Sequence, residues 1–370
     1  MRLSGVADLP LHGGHVPYWL LARMKKLSSL ILHVMNDLYG PDGIVGRFAH
    51  PIFFQAFNNI IGMDWDSSGS TTVTTAVVKE VLQSSDIPVR LAGGKGIYAL
   101  NTPNELFEIS RLFDLDADIL ITASRLVAKV DNALVQDGYQ LYHHAFFVSE
   151  TGKWGVVQQG LSHELRMARR YHWIATTDFL NSPHAGVVGI HHNNVLNLAS
   201  KNSRENREVI LELVNEGSSK VVRYLALLRG QATLFDVPRY HPYARLDFDI
   251  GAVVKNSPPP KSVTDFKELL LRHRVGPKTL RALSLVAELV FKAPADWSDP
   301  AVDPFKFAFA VGGKDGVPYP IDKKVYDELI ALLDAVVNKA KGDSGLYRCL
   351  SHLARKAEMW SYPQDKKRPT

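Results

Sequence analysis

The residues best equipped for chemistry gather within 123–160, where Ser124, Arg125, Lys129, Asp131, Gln136, Asp137, His143, His144, Gln158 and Gln159 stand close together in the chain. Carboxylates and an imidazole can hold a divalent ion that activates water, and a lysine beside them offsets charge on a scissile phosphate. Lys129, Asp131, Asp137, His143 and His144 are therefore the candidate catalytic set, with Asp131, Asp137 and His143 as candidate ligands for Mg²⁺ or Mn²⁺. Strand geometry limits that set. If 139–148 is a strand, His143 and His144 point to opposite faces, and only one of them can stand beside the aspartates. Asp64 with Asp66, and His191 with His192, offer the same residue types without a ligand spacing. Each cluster reads equally well as polar loops around a satisfied strand histidine.

A second concentration lies near the C-terminus, where Arg274, Val275, Gly276, Pro277, Lys278 and Thr279 follow one apolar-faced segment and open another. Gly276 suits a tight turn and Pro277 a first helical position, so the pattern predicts helix, turn, helix. The charge agrees with an anion-binding role. From Lys255 onward there are 20 Lys and Arg against 14 Asp and Glu, whereas the preceding residues carry 23 against 24. This run resembles the helix-hairpin-helix family, with Arg274 standing where that family often has its first glycine. The resemblance implies DNA held through its phosphates by Arg274, Val275, Gly276, Lys278, Thr279 and Arg281, without reading of sequence. An ordinary helical hairpin with a surface lysine is the plainer alternative.

Tyr319, Pro320, Ile321, Asp322, Lys323, Lys324 and Val325 resemble the segment carrying the catalytic aspartate of helix-hairpin-helix DNA glycosylases. That likeness implies Lys278 as a Schiff-base lysine and Asp322 as the carboxylate that stabilises a positively charged sugar. Asp322 is equally placed to cap a helix over 323–339. Over most of its length, from Gly5 through His144 to Gly160, the chain resembles an uncharacterised family shared by archaea and bacteria, a domain of unknown function that implies no activity.

The elements that must position these residues follow from length and pattern. A chain of 370 residues exceeds the size at which one core stops growing, so two units are expected. Pro258, Pro259 and Pro260 form a stiff spacer between them. The expected layout is an α+β or α/β domain with a mixed sheet over 1–254, a linker over 255–262 and an all-α helix-hairpin-helix domain over 263–370. A chain cut at Val254 is then expected to keep a folded N-terminal domain.

Within the first unit, 18–39 reads as a helix, and so do 105–113, 164–171 and 205–216. Residues 139–148 and 154–158 read as a hairpin. Gly93, Gly94, Lys95 and Gly96 read as a turn, and Lys153 with Trp154 as an exposed hairpin tip suited to stacking on a base. A single cysteine, Cys349, excludes internal disulfides, and no apolar run is long enough to cross a membrane. The expected class is a cytoplasmic DNA-processing hydrolase, most simply a metal-dependent nuclease. A glycosylase or lyase and a non-enzymatic DNA-binding adaptor are the alternatives.

Overall fold

The computed structural model describes residues 16, 18–61, 63, 68–231, 262–272 and 275–302. The first layer is helical: α1 (Tyr18–Phe48), α2 (Pro51–Ile60) and α3 (Ser68–Gln83). Within α1 the helix breaks at Gly40, which takes φ 68° and is followed by Pro41. The left-handed conformation is open to glycine at little cost, and proline removes the N–H that would continue the ladder.

A six-stranded sheet follows in the spatial order β1 (Val89–Lys95), β3 (Gln140–Ser149), β4 (Trp154–Ser162), β5 (Met167–Ile174), β6 (Gly186–Val188) and β8 (Ala301–Val302). All neighbours are antiparallel except β6 and β8. A second pair joins β2 (Val135–Gln136) to β7 (Leu196–Asn197). Between β1 and β2 lie the short α4 (Ile97–Leu100), α5 (Thr102–Phe113), α6 (Ala117–Lys129) and one π-helical turn, Val130–Leu134. After β7 come α7 (Arg204–Glu216) and α8 (Ser218–Gln231), then α9 (Phe266–Arg272) and α10 (Pro277–Phe291).

Alternation sorts the central strands into two cores. Leu91, Ala145, Phe147 and Val157 meet α1, α2 and α3, while Ala92, Phe146, Val148, Val156 and Trp173 face α5 and α6. The sheet is thus covered on both sides, which explains why its central strands are buried almost throughout. The second core continues without a break into α7, α9 and α10, where Phe266, Leu269, Leu270, Leu280, Leu283 and Val286 are buried. A free-standing all-α unit is therefore not seen among the described residues. These helices pack into the same cluster as the sheet, and β8 beyond them pairs with β6. The spacer itself lies outside the described residues.

Two local expectations need correction. Gly93, Gly94 and Lys95 belong to strand β1 and not to a turn. Gly93 has φ 89°, and a Cβ there would stand 2.2 Å from the His144 carbonyl oxygen, so glycine is required by a close strand approach. Residues 164–171 do not form a helix, because Met167–Ile174 is strand β5 with Arg169, Arg170 and His172 buried. Its polar residues sit inside the protein, so the strand lacks an inside–outside alternation. Helix α9 is entered through Asp265, whose Oδ1 accepts from the Glu268 N–H at 2.8 Å.

Candidate active site

Cross-strand register lays a polar stripe over each face of the sheet. On the α6 face His144 pairs with Gln158, which pairs with Tyr171; on the α3 face His143 pairs with Gln159, which pairs with Arg170. His143 and His144 do diverge as strand geometry requires: His143 Nε2 lies 3.0 Å from Thr75 of α3, and His144 Nε2 lies 2.9 Å from Ser124 of α6.

The α6-face stripe ends on Asp131, which the π-helical turn places fully inside the protein. Three donors converge on its carboxylate. Gln158 Nε2 and Trp173 Nε1 donate to Oδ2, the latter at 2.9 Å, and His184 Nε2 donates to Oδ1 at 2.5 Å. Behind them, His144 Nδ1 donates to Gln158 Oε1 at 2.6 Å while its Nε2 accepts from the Ser124 hydroxyl. The Gln158 carbonyl can only accept, and that fixes the His144 tautomer.

His184, in the loop before β6, packs against Trp173 with ring centroids 4.6 Å apart. It lines a cavity of about 440 Å³ together with Ser182, Lys201, Ser200, Asp296 and others. Its Nδ1 carries no hydrogen bond among the described residues. A carboxylate holding one nitrogen of an imidazole that lines a cavity is the arrangement of an oriented general base.

Asp137 belongs elsewhere. Its Oδ2 accepts from Arg169 at 2.8 Å and from the Tyr171 hydroxyl at 2.6 Å. The same guanidinium grips Asp299 through two bonds of 2.8 and 2.9 Å and donates to the Ile190 carbonyl. Burial pushes the Asp137 carboxyl up against the pull of Arg169. Burial also opposes the Arg169 charge, but Asp137, Tyr171 and Asp299 outweigh it and keep the guanidinium protonated. This is a structural clamp that ties β5 to the segment entering β8.

The expected ligand set of Asp131, Asp137 and His143 is therefore not assembled. His143 stands on the other side of the sheet and Asp137 is consumed by Arg169. Among the described residues no three His, Cys, Asp or Glu side chains come together as a metal site. Asp64, Asp66, Arg274 and Asp322 lie outside the described residues. His192 accepts or donates with Tyr139 at 3.0 Å, and Trp154 is buried against Phe146 and Phe179, so it cannot stack on a base.

Lys129 and the C-terminal turn are brought together. Arg125, Lys129 and Asn132 share a groove of about 380 Å³ with Gly276 and Pro277. Lys278 is exposed beside it, whereas Val275 and Thr279 are buried in the core. Gln136 locks the contact by donating to the Pro277 carbonyl at 2.9 Å and accepting from Arg281 Nε at 2.7 Å. Arg281 is thus engaged within the protein.

The sequence reading missed His184. It stands alone between Pro183 and Ala185, 53 residues from Asp131, and no spacing marks it. Only the pairing of β5 with β6 brings it under Trp173.

Burial lowers the histidines of β3 and β5. It takes His143 from 6.5 to about 3, helped by the charges of His144 and Lys95. It lowers His144 against the opposing effects of Gln158 and Asp131, and it takes His172 well below its ordinary value, with Arg170 adding to it. Between the unfolded value and these lowered ones the unfolded chain binds more protons, so stability is full above about pH 6.5 and is lost as pH falls toward 3. Each ring contributes up to about 1.4 kcal/mol per pH unit. The urea midpoint should therefore fall steeply from pH 6.5 to 5, and a flat midpoint would show that these rings are not held neutral.

Among the described residues no helix is long and apolar enough to cross a membrane. No curated protein and no solved structure matches the chain. A family model does match, over residues 5–321. The chain thus belongs to the family described as "Protein of unknown function (DUF763)".

Proposed function

We propose that the protein holds DNA by its phosphates, without reading sequence, in the groove between α6 and the start of α10. One observation carries this reading: Arg125 and Lys129 of the first half line the same groove as Gly276 and Pro277, with Lys278 exposed at its edge. The first-turn N–H groups of a helix have no partners within it and lie at the positive end of its dipole. A phosphate satisfies them, and flanking cations add attraction that is blind to base identity. Lys129→Glu and Lys278→Glu should each weaken binding to unrelated duplexes alike, measured by fluorescence anisotropy. Each should also lower the salt dependence by about one phosphate contact. Unchanged affinity at low salt, or a loss confined to one sequence, would contradict the reading.

A second reading, that the bound DNA is also cut, is supported by the Asp131 and His184 pair. His184 would take a proton from the attacking water through Nδ1, Asp131 would hold the imidazolium that results, and Lys201 at the cavity would offset charge on the phosphate. A role in DNA repair would rest on this chemistry. His184→Ala should then abolish nicking of labelled single-stranded and duplex DNA while binding persists, with Mg²⁺ or Mn²⁺ present or absent. Nicking that survives His184→Ala removes the dyad from the chemistry. Borohydride-trapped adducts lost in Lys278→Gln would favour the lyase instead. Binding without any cleavage would favour the adaptor.

A further inference from the structure

A cavity of about 720 Å³ lies on the opposite face of the sheet from Asp131, between α3 and β1. That volume falls in the range of small-molecule sites. Val73, Val77 and Leu91 give it apolar walls, and Tyr98 and Lys95 stand at its exposed side. Its floor includes His143, which is 1% exposed.

The hydrogen bonds around His143 leave one of its nitrogens unused. Thr75 gives its hydroxyl proton to the Thr71 carbonyl at 2.8 Å, so its oxygen accepts from His143 Nε2–H. The neutral ring then carries a lone pair on Nδ1, and that buried atom has no hydrogen-bond partner. A buried acceptor left unpaired costs about 1–3 kcal/mol, so such an atom is expected to meet a donor. The charges nearby are matched differently. Lys79 is paired with Glu105 and Glu80 with Lys25, whereas Lys95 is in no ion pair among the described residues.

We infer that this cavity binds a small organic anion with an apolar body, its acidic group set against Lys95 and one N–H or O–H donated to His143 Nδ1. The site is separate from the DNA groove, and its occupant would be a substrate or effector that the polar stripe on the other face does not touch. Lys95 gives the preference for an anion, the walls give the preference for an apolar body, and Nδ1 demands a donor and rejects a ligand that has none.

The dye 1-anilinonaphthalene-8-sulfonate carries all three features: an apolar ring system, a sulfonate and a single N–H. Its fluorescence, titrated with the full chain, should rise to saturation at one dye per protein. Ala76 lines the cavity from an exposed position on α3, so Ala76→Trp blocks the space without entering the core. That variant should abolish saturable binding, and Lys95→Glu should weaken it on the order of tenfold. In chain labelled with ¹⁵N-histidine, the His143 Nδ1 resonance should move on saturation, as it does when a lone pair accepts a hydrogen bond. Binding that is not saturable, that survives both substitutions, or that leaves the Nδ1 resonance in place would overturn the inference.

Discussion

A chain ending at Val254 should fail to fold. The cut removes Phe266, Leu269, Leu270, Leu280, Leu283 and Val286 from the cluster they share with Phe146, Val156 and Trp173. At about 1.5–3 kcal/mol for each large apolar side chain, the loss is on the order of 10 kcal/mol or more. That is the size of a whole domain's stability, about 5–15 kcal/mol. The cut also removes Asp299, which leaves half of the Arg169 clamp unpaired inside the protein. Circular dichroism melts should show no cooperative transition for residues 1–254, and gel filtration should show an expanded or aggregated species. A sharp melt near that of the full chain would mean that the sheet and its first helices hold a core of their own, as the proline spacer suggested.

Arg169→Met should be the most damaging single substitution in the sheet. The guanidinium has no exposure, and neither do the Asp137 and Asp299 carboxylates that it serves. Removing one partner of a buried ion pair costs about 3–5 kcal/mol, because the remaining charge stays buried and uncompensated. The deficit should depend on pH in a defined direction. Without the guanidinium, nothing ionic opposes the burial that raises the Asp137 carboxyl, so the folded variant takes up a proton there more readily than the unfolded chain. Its deficit relative to the parent protein should shrink as pH falls from 7 to 5. Urea titrations of both proteins at the two pH values check this. A deficit under about 1 kcal/mol, or one independent of pH, would show that the clamp is not the ionic structure described.

Much of this architecture was legible in the residues, and the failures have physical causes. The hairpin of β3 and β4 was legible because its turn, Glu150 to Lys153, is polar and its strands are aromatic and β-branched. The pair α9 and α10 was legible because Gly276 and Pro277 punctuate two amphipathic runs. Strand β5 was misread because buried Arg169, Arg170 and His172 hide a central strand behind polar letters, and both arginines are met by partners distant in sequence. The divergence of His143 and His144 followed from strand period alone. Asp131 belongs to the candidate catalytic set read from the sequence, but its partners Gln158, Trp173 and His184 are set by sheet register, which one sequence does not display.

The central claim, that DNA phosphates sit where α6 meets the start of α10, is tested most directly by amide hydrogen exchange with and without DNA. Pro277 has no N–H and Leu280 donates to the Gly276 carbonyl, so the first-turn amides of α10 without a helical partner are those of Lys278 and Thr279, which should exchange quickly in the free protein. On saturation with a duplex of arbitrary sequence, peptides covering 275–281 and 125–133 should become protected, and more so at low salt. DNA binding that leaves both segments exchanging as before, with protection elsewhere, would contradict the account.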